Sequence, residues 1–154
     1  MFAASLRLLA ATLLVGALAG CGEMAGGGMA PGLVAGMDQP GANLDRTTAL
    51  SVINQYRGTV GAAPVTEDPS LDAQAQAMAQ AYSGSDKAPP LPAGVAAMRA
   101  SAGYANFAET FSGWRNSPAD AAVLATAGAK RAGIAAVYGA KSTYGVYWIL
   151  LLGN

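Results

Sequence analysis

Few side chains in this 154-residue chain are of the types that carry out chemistry. The chain contains no histidine and one cysteine, Cys21. Without histidine it lacks the commonest general base and the commonest metal ligand, which excludes triads and zinc sites built on imidazole. A nucleophile at Ser101, Ser112 or Ser117 would need a lysine as its base, and nothing in the sequence places one nearby.

The composition excludes further classes of protein. Hydrophobic residues make up 53% of the chain and charged residues only 12%, so the chain is not a charge-driven disordered protein. Basic and acidic residues are equal at 9 each, without a basic patch, so no nucleic-acid partner is expected. A single cysteine excludes an intramolecular disulfide framework.

The first twenty residues have the pattern of an export signal. Arg7 precedes an apolar run from Leu8 to Leu18, which is too short for the ~20 residues that span a bilayer. The run ends in Leu-Ala-Gly-Cys21, which resembles the lipobox of bacterial lipoproteins, in which the cysteine is acylated and becomes the new N-terminus. The alternative is an incidental cysteine after an ordinary signal peptide.

The lipobox resemblance implies a lipid-anchored protein of the bacterial cell envelope, with residues 1–20 as its signal peptide. Gly22 follows the cysteine instead of aspartate, which by the enterobacterial sorting rule favours the outer membrane, facing the periplasm. Glycine and proline are dense up to about residue 42. We therefore predict a flexible tether over residues 21–42 and a folded domain over residues 43–154.

Four helices are predicted in the first part of this domain. A helix-period pattern runs from Leu50 to Arg57 and is closed by glycines. The other three helices are predicted to begin at Asp68–Pro69, near Asn106, and at Ser117–Pro118 with an end near Gly128. Phe107, Phe111 and Trp114 share a helical spacing that is more typical of a core than of a ligand site.

The period then changes to that of strands. Residues 132–137 and 144–152 are predicted to form an antiparallel hairpin, and the last run is apolar on both faces. Such a strand must be covered on both sides, which places Trp148 in the core. The predicted fold class is therefore α+β, an α-β-α sandwich with the C-terminal hairpin between helical layers.

Five segments in this order resemble the CAP superfamily of cysteine-rich secretory proteins, antigen 5 and pathogenesis-related 1 proteins. The segments are Val52–Arg57, Glu67–Leu71, Phe111–Pro118, Ala132–Ala135 and Tyr147–Trp148. The resemblance covers residues 48 to 153 and implies an α-β-α sandwich, in agreement with the residue pattern.

The resemblance also implies where a functional site would lie. Family members often line a cleft with two histidines and two glutamates that can bind a divalent metal. Asp86 falls near the position of one histidine, and Asp120 takes the place of the other. The chain therefore resembles a degenerate family member.

Two alignments of the glutamate positions are possible. Anchoring on Trp114 puts Ala97–Met98–Arg99 where the family has its Ala/Gly-Glu-Asn motif, so that glutamate is lost and Glu109 approximates the second one. The alternative makes Ala108–Glu109–Thr110 the motif, which leaves too few residues before Trp114 for the intervening helix. We prefer the first alignment.

The acidic residues also have a structural interpretation. Asn106 and Glu109 have the spacing of a capping box, as do Ser117 and Asp120. An acid in the first turn of a helix is stabilised whatever its function. Capping is therefore the preferred interpretation, and a Ca²⁺ site formed by Asp86, Glu109 and Asp120 is the alternative.

The expected function is that of a non-enzymatic lipoprotein without metal or cofactor. Its CAP-like domain is expected to bind an envelope protein, a glycan or a hydrophobic ligand, besides the membrane that holds its lipid. The candidate residues for a residual cleft are Asp86, Met98, Glu109 and Asp120. A hydrolase or a Ca²⁺-dependent activity in that cleft is the alternative.

Overall fold

The computed structural model describes residues 28–154. The predicted signal peptide, Cys21 and the first part of the predicted tether lie outside the described residues. None of the helices in the described part of the chain has the length and apolar composition needed to cross a bilayer.

The folded part begins earlier than the sequence predicted. A short helix, α1, spans Pro31–Val34, and Leu33 packs against the main core. Met37 is buried, and its backbone N–H donates to the carbonyl of Ala105 at 2.7 Å. A flexible tether up to residue 42 is therefore wrong for this stretch, because two apolar side chains attach it to the core despite its glycines.

The four longer helices occur where the sequence predicted them. They are α2 (Arg46–Thr59), α3 (Pro69–Ser85), α4 (Phe107–Asn116) and α5 (Pro118–Leu124). Asp68 caps α3 by accepting from the backbone N–H of Ser70 at 2.8 Å, and Pro69 occupies the first turn. Helix α5 ends four residues before Gly128.

The four strands form one mixed sheet in the order β1-β3-β4-β2. Their bounds are β1 Thr66–Glu67, β2 Ala97–Ala102, β3 Arg131–Tyr138 and β4 Val146–Gly153. Strand β4 pairs antiparallel with β3 and with β2, whereas β1 adds to β3 in parallel. The predicted hairpin is β3–β4, and the sequence did not predict β1 or β2.

Helices cover both faces of the sheet, so the predicted α-β-α sandwich is confirmed. On one face, Trp148 and Leu150 of β4 pack with α2, α4 and α5. On the other face, Ile149 and Leu151 pack with the alanines of α3. Every residue of β4 is buried, and Trp148 has no exposed surface. The absence of polar alternation in this strand follows from its central position.

Side chains complete the sheet where the two-residue strand β1 ends. The backbone N–H of Ile134 donates to Oδ1 of Asp72 at 2.8 Å, and the carbonyl of Ile134 accepts from Nε of Arg46 at 2.9 Å. Nε of Arg46 also lies 3.5 Å from Oδ1 of Asp72, so the two side chains form an ion pair. The pair replaces the strand partner that β1 is too short to provide, so these buried backbone groups remain satisfied.

Candidate functional site

Strand β2 and helix α5 bring the candidate Asp120 into contact with Arg99, the last residue of the aligned motif. Arg99 lies on β2 at the edge of the sheet, and Asp120 lies in the first turn of α5. Nε of Arg99 is 2.8 Å from Oδ1 of Asp120, and both side chains are partly buried. The contact is an ion pair without an aligned hydrogen bond from Nε. A second guanidinium nitrogen donates to the carbonyl of Ala100.

The capping interpretation of Asp120 is wrong. The side chain of Ser117 forms no capping hydrogen bond at the start of α5, and the carboxylate of Asp120 pairs with Arg99 instead. The partner comes from a strand that the sequence analysis did not predict, so the spacing of Ser117 and Asp120 gave no indication of it. The opposite charges of Asp120 and of Arg99, the residue after the candidate Met98, were the one available signal.

Asp86 ends helix α3 in the left-handed conformation, with φ at 55°. Its carboxylate accepts from the hydroxyl of Thr143 at 2.5 Å and from the phenol of Tyr147. Both hydrogen bonds lower the pKa of Asp86, and the one from Thr143 has the larger effect. Asp86 therefore links the end of α3 to the connection between β3 and β4 and to β4 itself.

The capping interpretation of Glu109 is confirmed. The backbone N–H of Glu109 donates to Oδ1 of Asn106 at 3.0 Å, and Oε2 of Glu109 accepts from the backbone N–H of Ala105 at 3.2 Å. The two side chains satisfy N–H groups at the start of α4. Glu109 thus stabilises the beginning of this helix.

Met98 lies beside Arg99 in sequence but belongs to the other side of the sheet. It packs with the core under α3, together with Ala100. Asp86, Met98, Glu109 and Asp120 therefore have separate partners. Within residues 28–154, no three acidic, cysteine or histidine side chains are grouped closely enough to hold a metal ion.

The residues at the family's metal positions do not fit a divalent cation. In the preferred alignment Met98 stands where a glutamate is expected, and the positive charge of the adjacent Arg99 faces Asp120, the replacement of a histidine. A guanidinium cannot ligate a metal, and it neutralises the one carboxylate at this place.

A second feature of the structure is an apolar groove, which lies between α1, α2 and α4. Its volume is about 870 Å³, and aliphatic and aromatic side chains contribute most of its wall. The main apolar lining residues are Met29, Leu33, Val34, Val52, Phe107 and Phe111. A smaller depression of about 360 Å³ continues along α2 and α4 and shares Val52, Phe111 and Arg115 with it.

The groove modifies the prediction for the aromatic side chains of α4. Phe107 and Trp114 are buried, and Nε1 of Trp114 donates to Oγ of Ser101 at 3.1 Å, as expected of core residues. Phe111 is only half-buried and contacts Tyr56 edge to face at 6.1 Å between ring centroids. Phe111 is therefore both a core residue and part of the groove wall, which its spacing alone did not reveal.

Comparison with known proteins identifies the family. The model of the CAP family, the cysteine-rich secretory protein family, matches residues 50–152, and the chain belongs to this family. No curated protein matches the chain. Among solved structures it is similar to an outer surface protein from Borrelia burgdorferi, with a TM-score of 0.52 and 14% identity. The match covers 71% of this chain and 92% of that chain, and at this identity it shows the fold alone.

Proposed function

We propose that this chain is a bacterial cell-envelope lipoprotein, anchored at Cys21, whose CAP domain is a non-catalytic binding module. The observation that carries the non-catalytic part is the contact between Arg99 and Asp120 at 2.8 Å. It puts a fixed cation next to Asp120, which takes the place of a histidine that the family resemblance implies as a metal ligand. An arginine cannot release its proton, so it cannot replace the missing histidine as a base.

The other two acidic candidates support the same proposal. The carboxylate of Asp86 accepts hydrogen bonds from Thr143 and Tyr147. The carboxylate of Glu109 accepts one from a backbone N–H at the start of α4. Residues 28–154 contain neither cysteine nor histidine, so a transition metal would find no thiolate or imidazole ligand there. The alternative of a hydrolase or Ca²⁺-dependent enzyme has no comparable support.

The envelope location rests on the sequence before the domain. The Leu-Ala-Gly-Cys ending and Gly22 favour lipidation and the outer membrane, facing the periplasm. A mature bacterial lipoprotein of this kind carries more than one acyl chain, which is what stable attachment requires. The similar Borrelia structure is described as an outer surface protein, which is consistent with this location.

The apolar groove indicates which of the expected partners fits best. Its wall is mostly hydrocarbon, with one cation and one acid, Arg115 and Glu109. Glycan sites need convergent polar groups, whereas an apolar wall of this kind favours a hydrophobic partner. The binding surface is therefore assigned to the groove rather than to the site of Arg99 and Asp120.

The non-catalytic assignment is tested by melting the purified protein with and without millimolar Ca²⁺, Zn²⁺ or EDTA. A ligand at 100-fold excess over its dissociation constant stabilises a protein by ~2.7 kcal/mol, which for a domain of this size is a shift of several degrees. We expect no such shift, and metal analysis of the protein should give a content near zero.

Matched variants identify the origin of any shift. Asp120→Asn removes the carboxylate next to Arg99, whereas Asp38→Asn removes an exposed acid from a loop. A shift of several degrees that disappears in Asp120→Asn and persists in Asp38→Asn would revive the enzyme hypothesis. Hydrolytic activity that disappears with the same variant would have the same meaning.

A further inference from the structure

The apolar groove opens at the end of the folded chain that is nearest in sequence to the proposed lipid. Met29 and Val34 line it and are 63% and 44% exposed, so they extend its apolar wall into solvent as one contiguous patch. Leu33 is half-buried between them and attaches α1 to the core. The exposed apolar surface of α1 is thus held in a fixed position beside the groove.

The distance between this surface and the proposed anchor is limited by covalent geometry. Seven residues lie between Cys21 and Met29, so eight steps of the chain connect their Cα atoms. A fully extended chain advances at most ~3.3–3.6 Å per residue, so the two Cα atoms are at most roughly 29 Å apart whatever the conformation between them. This length is about that of the hydrocarbon core of one bilayer, ~30 Å. An acylated Cys21 would therefore keep α1 close to the membrane surface.

We propose that the apolar groove and α1 form the surface by which the domain docks on the lipid bilayer, with Met29 and Val34 entering the interface. The inference rests on the proposed lipidation of Cys21. A tethered surface meets its partner at a high effective concentration, so a weak apolar contact is enough to keep it bound. The same contact is too weak to hold the protein on a membrane without the lipid.

The charges around the groove agree with a bilayer as the occupant. Arg115 and Glu109 give its lining no net charge, and Glu109 is engaged with the backbone of Ala105. The groove thus offers a soluble ion no electrostatic attraction, and apolar contact is its main property. The exposed tip formed by Met29 and Val34 matches the lipid interface, where apolar side chains insert at the boundary of headgroups and acyl chains.

The test uses the full lipidated chain in vesicles of phosphatidylethanolamine and phosphatidylglycerol. Acylation consumes the thiol of Cys21, so a cysteine introduced by Met29→Cys or Val34→Cys is the only site for an environment-sensitive fluorophore. Leu91→Cys is the matched control, because Leu91 is apolar and 51% exposed but does not line the groove. Lipids that carry a spin label then quench any fluorophore that reaches the bilayer.

We expect labels at positions 29 and 34 to emit at shorter wavelength and to be quenched several-fold more strongly than the label at position 91. Val34→Asp should abolish the quenching at position 29 without changing vesicle flotation or the melting temperature, since Val34 is exposed. Val34→Leu should preserve it. The unlipidated Cys21→Ser protein should show no measurable binding to the same vesicles.

The remaining outcomes separate this inference from the proposed function. Flotation with equal quenching at all three positions would leave the anchor intact and overturn the docking surface. Protection of the labels that persists in detergent would mean that another part of the chain, or a second copy, fills the groove, and would also overturn it. Failure to float with vesicles would refute the anchor itself and the docking surface with it.

Discussion

Arg57 is a fully buried charged side chain that joins two parts of the chain. Its Nε donates to the carbonyl of Ala63 at 2.8 Å, and its terminal nitrogens reach the carbonyls of Leu124 and Thr126 at 2.7 and 3.3 Å. Burial lowers the pKa of Arg57, yet the guanidinium remains protonated because its ordinary value is so high. The side chain therefore closes the loop after α2 onto the end of α5.

Replacing Arg57 should destabilise the domain strongly. Arg57→Met fills a similar volume but leaves these carbonyls without a donor. Because a buried polar group without a hydrogen-bond partner is costly, the free energy of unfolding should fall by roughly 3 kcal/mol. Arg57→Lys should recover only part of this loss, because an ammonium lacks the planar fork that reaches several carbonyls. Urea unfolding measures both changes.

The exposed Arg115 provides the control for this prediction. Arg115→Met should alter the free energy of unfolding by less than about 0.5 kcal/mol, as is usual for surface substitutions. If Arg57→Met unfolds at the same urea concentration as Arg115→Met, the hydrogen bonds of Arg57 contribute nothing to stability.

Asp68 predicts a pH dependence of stability. Hydrogen bonds from the hydroxyl and the backbone N–H of Ser70, together with Arg131 at 2.6 Å, lower the pKa of Asp68 to about 2. The unfolded value is ~3.9. A lowered folded pKa means that the stabilisation is complete above pH ~4 and is lost as the pH falls from ~4 to about 2.

Asp68→Asn isolates this effect from the other carboxylates. Asparagine still caps α3 but cannot titrate or pair with Arg131, so the parent should be more stable than the variant near neutral pH. The difference between their unfolding free energies should shrink through the window from pH ~4 to about 2. A difference that stays constant across this window would contradict the prediction.

The candidate acids show how far residue patterns lead at this scale. The spacing of Asn106 and Glu109 was sufficient to predict that both side chains bond backbone N–H groups at the start of α4, because these partners are local in sequence, although Glu109 bonds Ala105 and not the N-cap residue. The same spacing at Ser117 and Asp120 misled, because a distant arginine competes for the carboxylate. A local pattern is decisive only where no partner from another element reaches the same atoms.

At the scale of elements, the contact between α3 and β3 depends on one glycine. A Cβ atom on Gly133 would lie 2.2 Å from the carbonyl carbon of Leu71 and 2.4 Å from the backbone nitrogen of Asp72. The backbone of α3 thus approaches β3 so closely that no side chain fits between them. This close approach also brings Asp72 within reach of Ile134.

Gly133→Ala should therefore destabilise the domain, by ~1–3 kcal/mol as overpacking of a core does, since a helix backbone cannot move aside easily. Gly58→Ala is the matched control, because Gly58 lies in α2 with open space around it and an ordinary φ. That change should stabilise the domain by roughly 0.4–1 kcal/mol. Thermal melts that show the same sign for both variants would refute the close approach.

The elements that the sequence did not predict have a common physical cause. Strand β2 reads Ala-Met-Arg-Ala-Ser-Ala, which contains no β-branched or aromatic residue, so its conformation comes from pairing with β4 and not from propensity. Helix α1 lies among glycines and is held by contacts of Leu33 and Met37. By contrast, α3 and β4 were predictable because a cap and an unbroken apolar run are local signals.

At the scale of the whole molecule, the two faces of the sheet have different properties. The face under α3 is closed by alanines and by the hydrogen bonds of Asp86. The opposite face carries α2, α4 and α5, and the apolar groove lies on that side. The side chains at positions linked to the family's chemistry thus make structural contacts. The apolar groove, by contrast, lies exposed next to α1.

The proposed lipidation makes the cellular location depend on Cys21. Cys21→Ser removes the thiol that this proposal links to lipid, so the protein should move from the membrane to the soluble periplasmic fraction or accumulate as an uncleaved precursor of higher mass. The groove alone should not retain it, because a single weak apolar contact lacks the hydrocarbon of the acyl chains. Fractionation and immunoblotting measure both outcomes.

Gly22→Asp is the control for this experiment, because it keeps the cysteine and alters only the residue after it. By the enterobacterial sorting rule the variant should remain membrane-bound and shift toward the inner membrane. A Cys21→Ser protein that is cleaved normally and stays in the membrane like the parent would rule out lipidation at this residue. Retention would then require another attachment to the membrane. The first possibility to test would be that the apolar groove binds membranes without the lipid, and the Val34→Asp variant would test it.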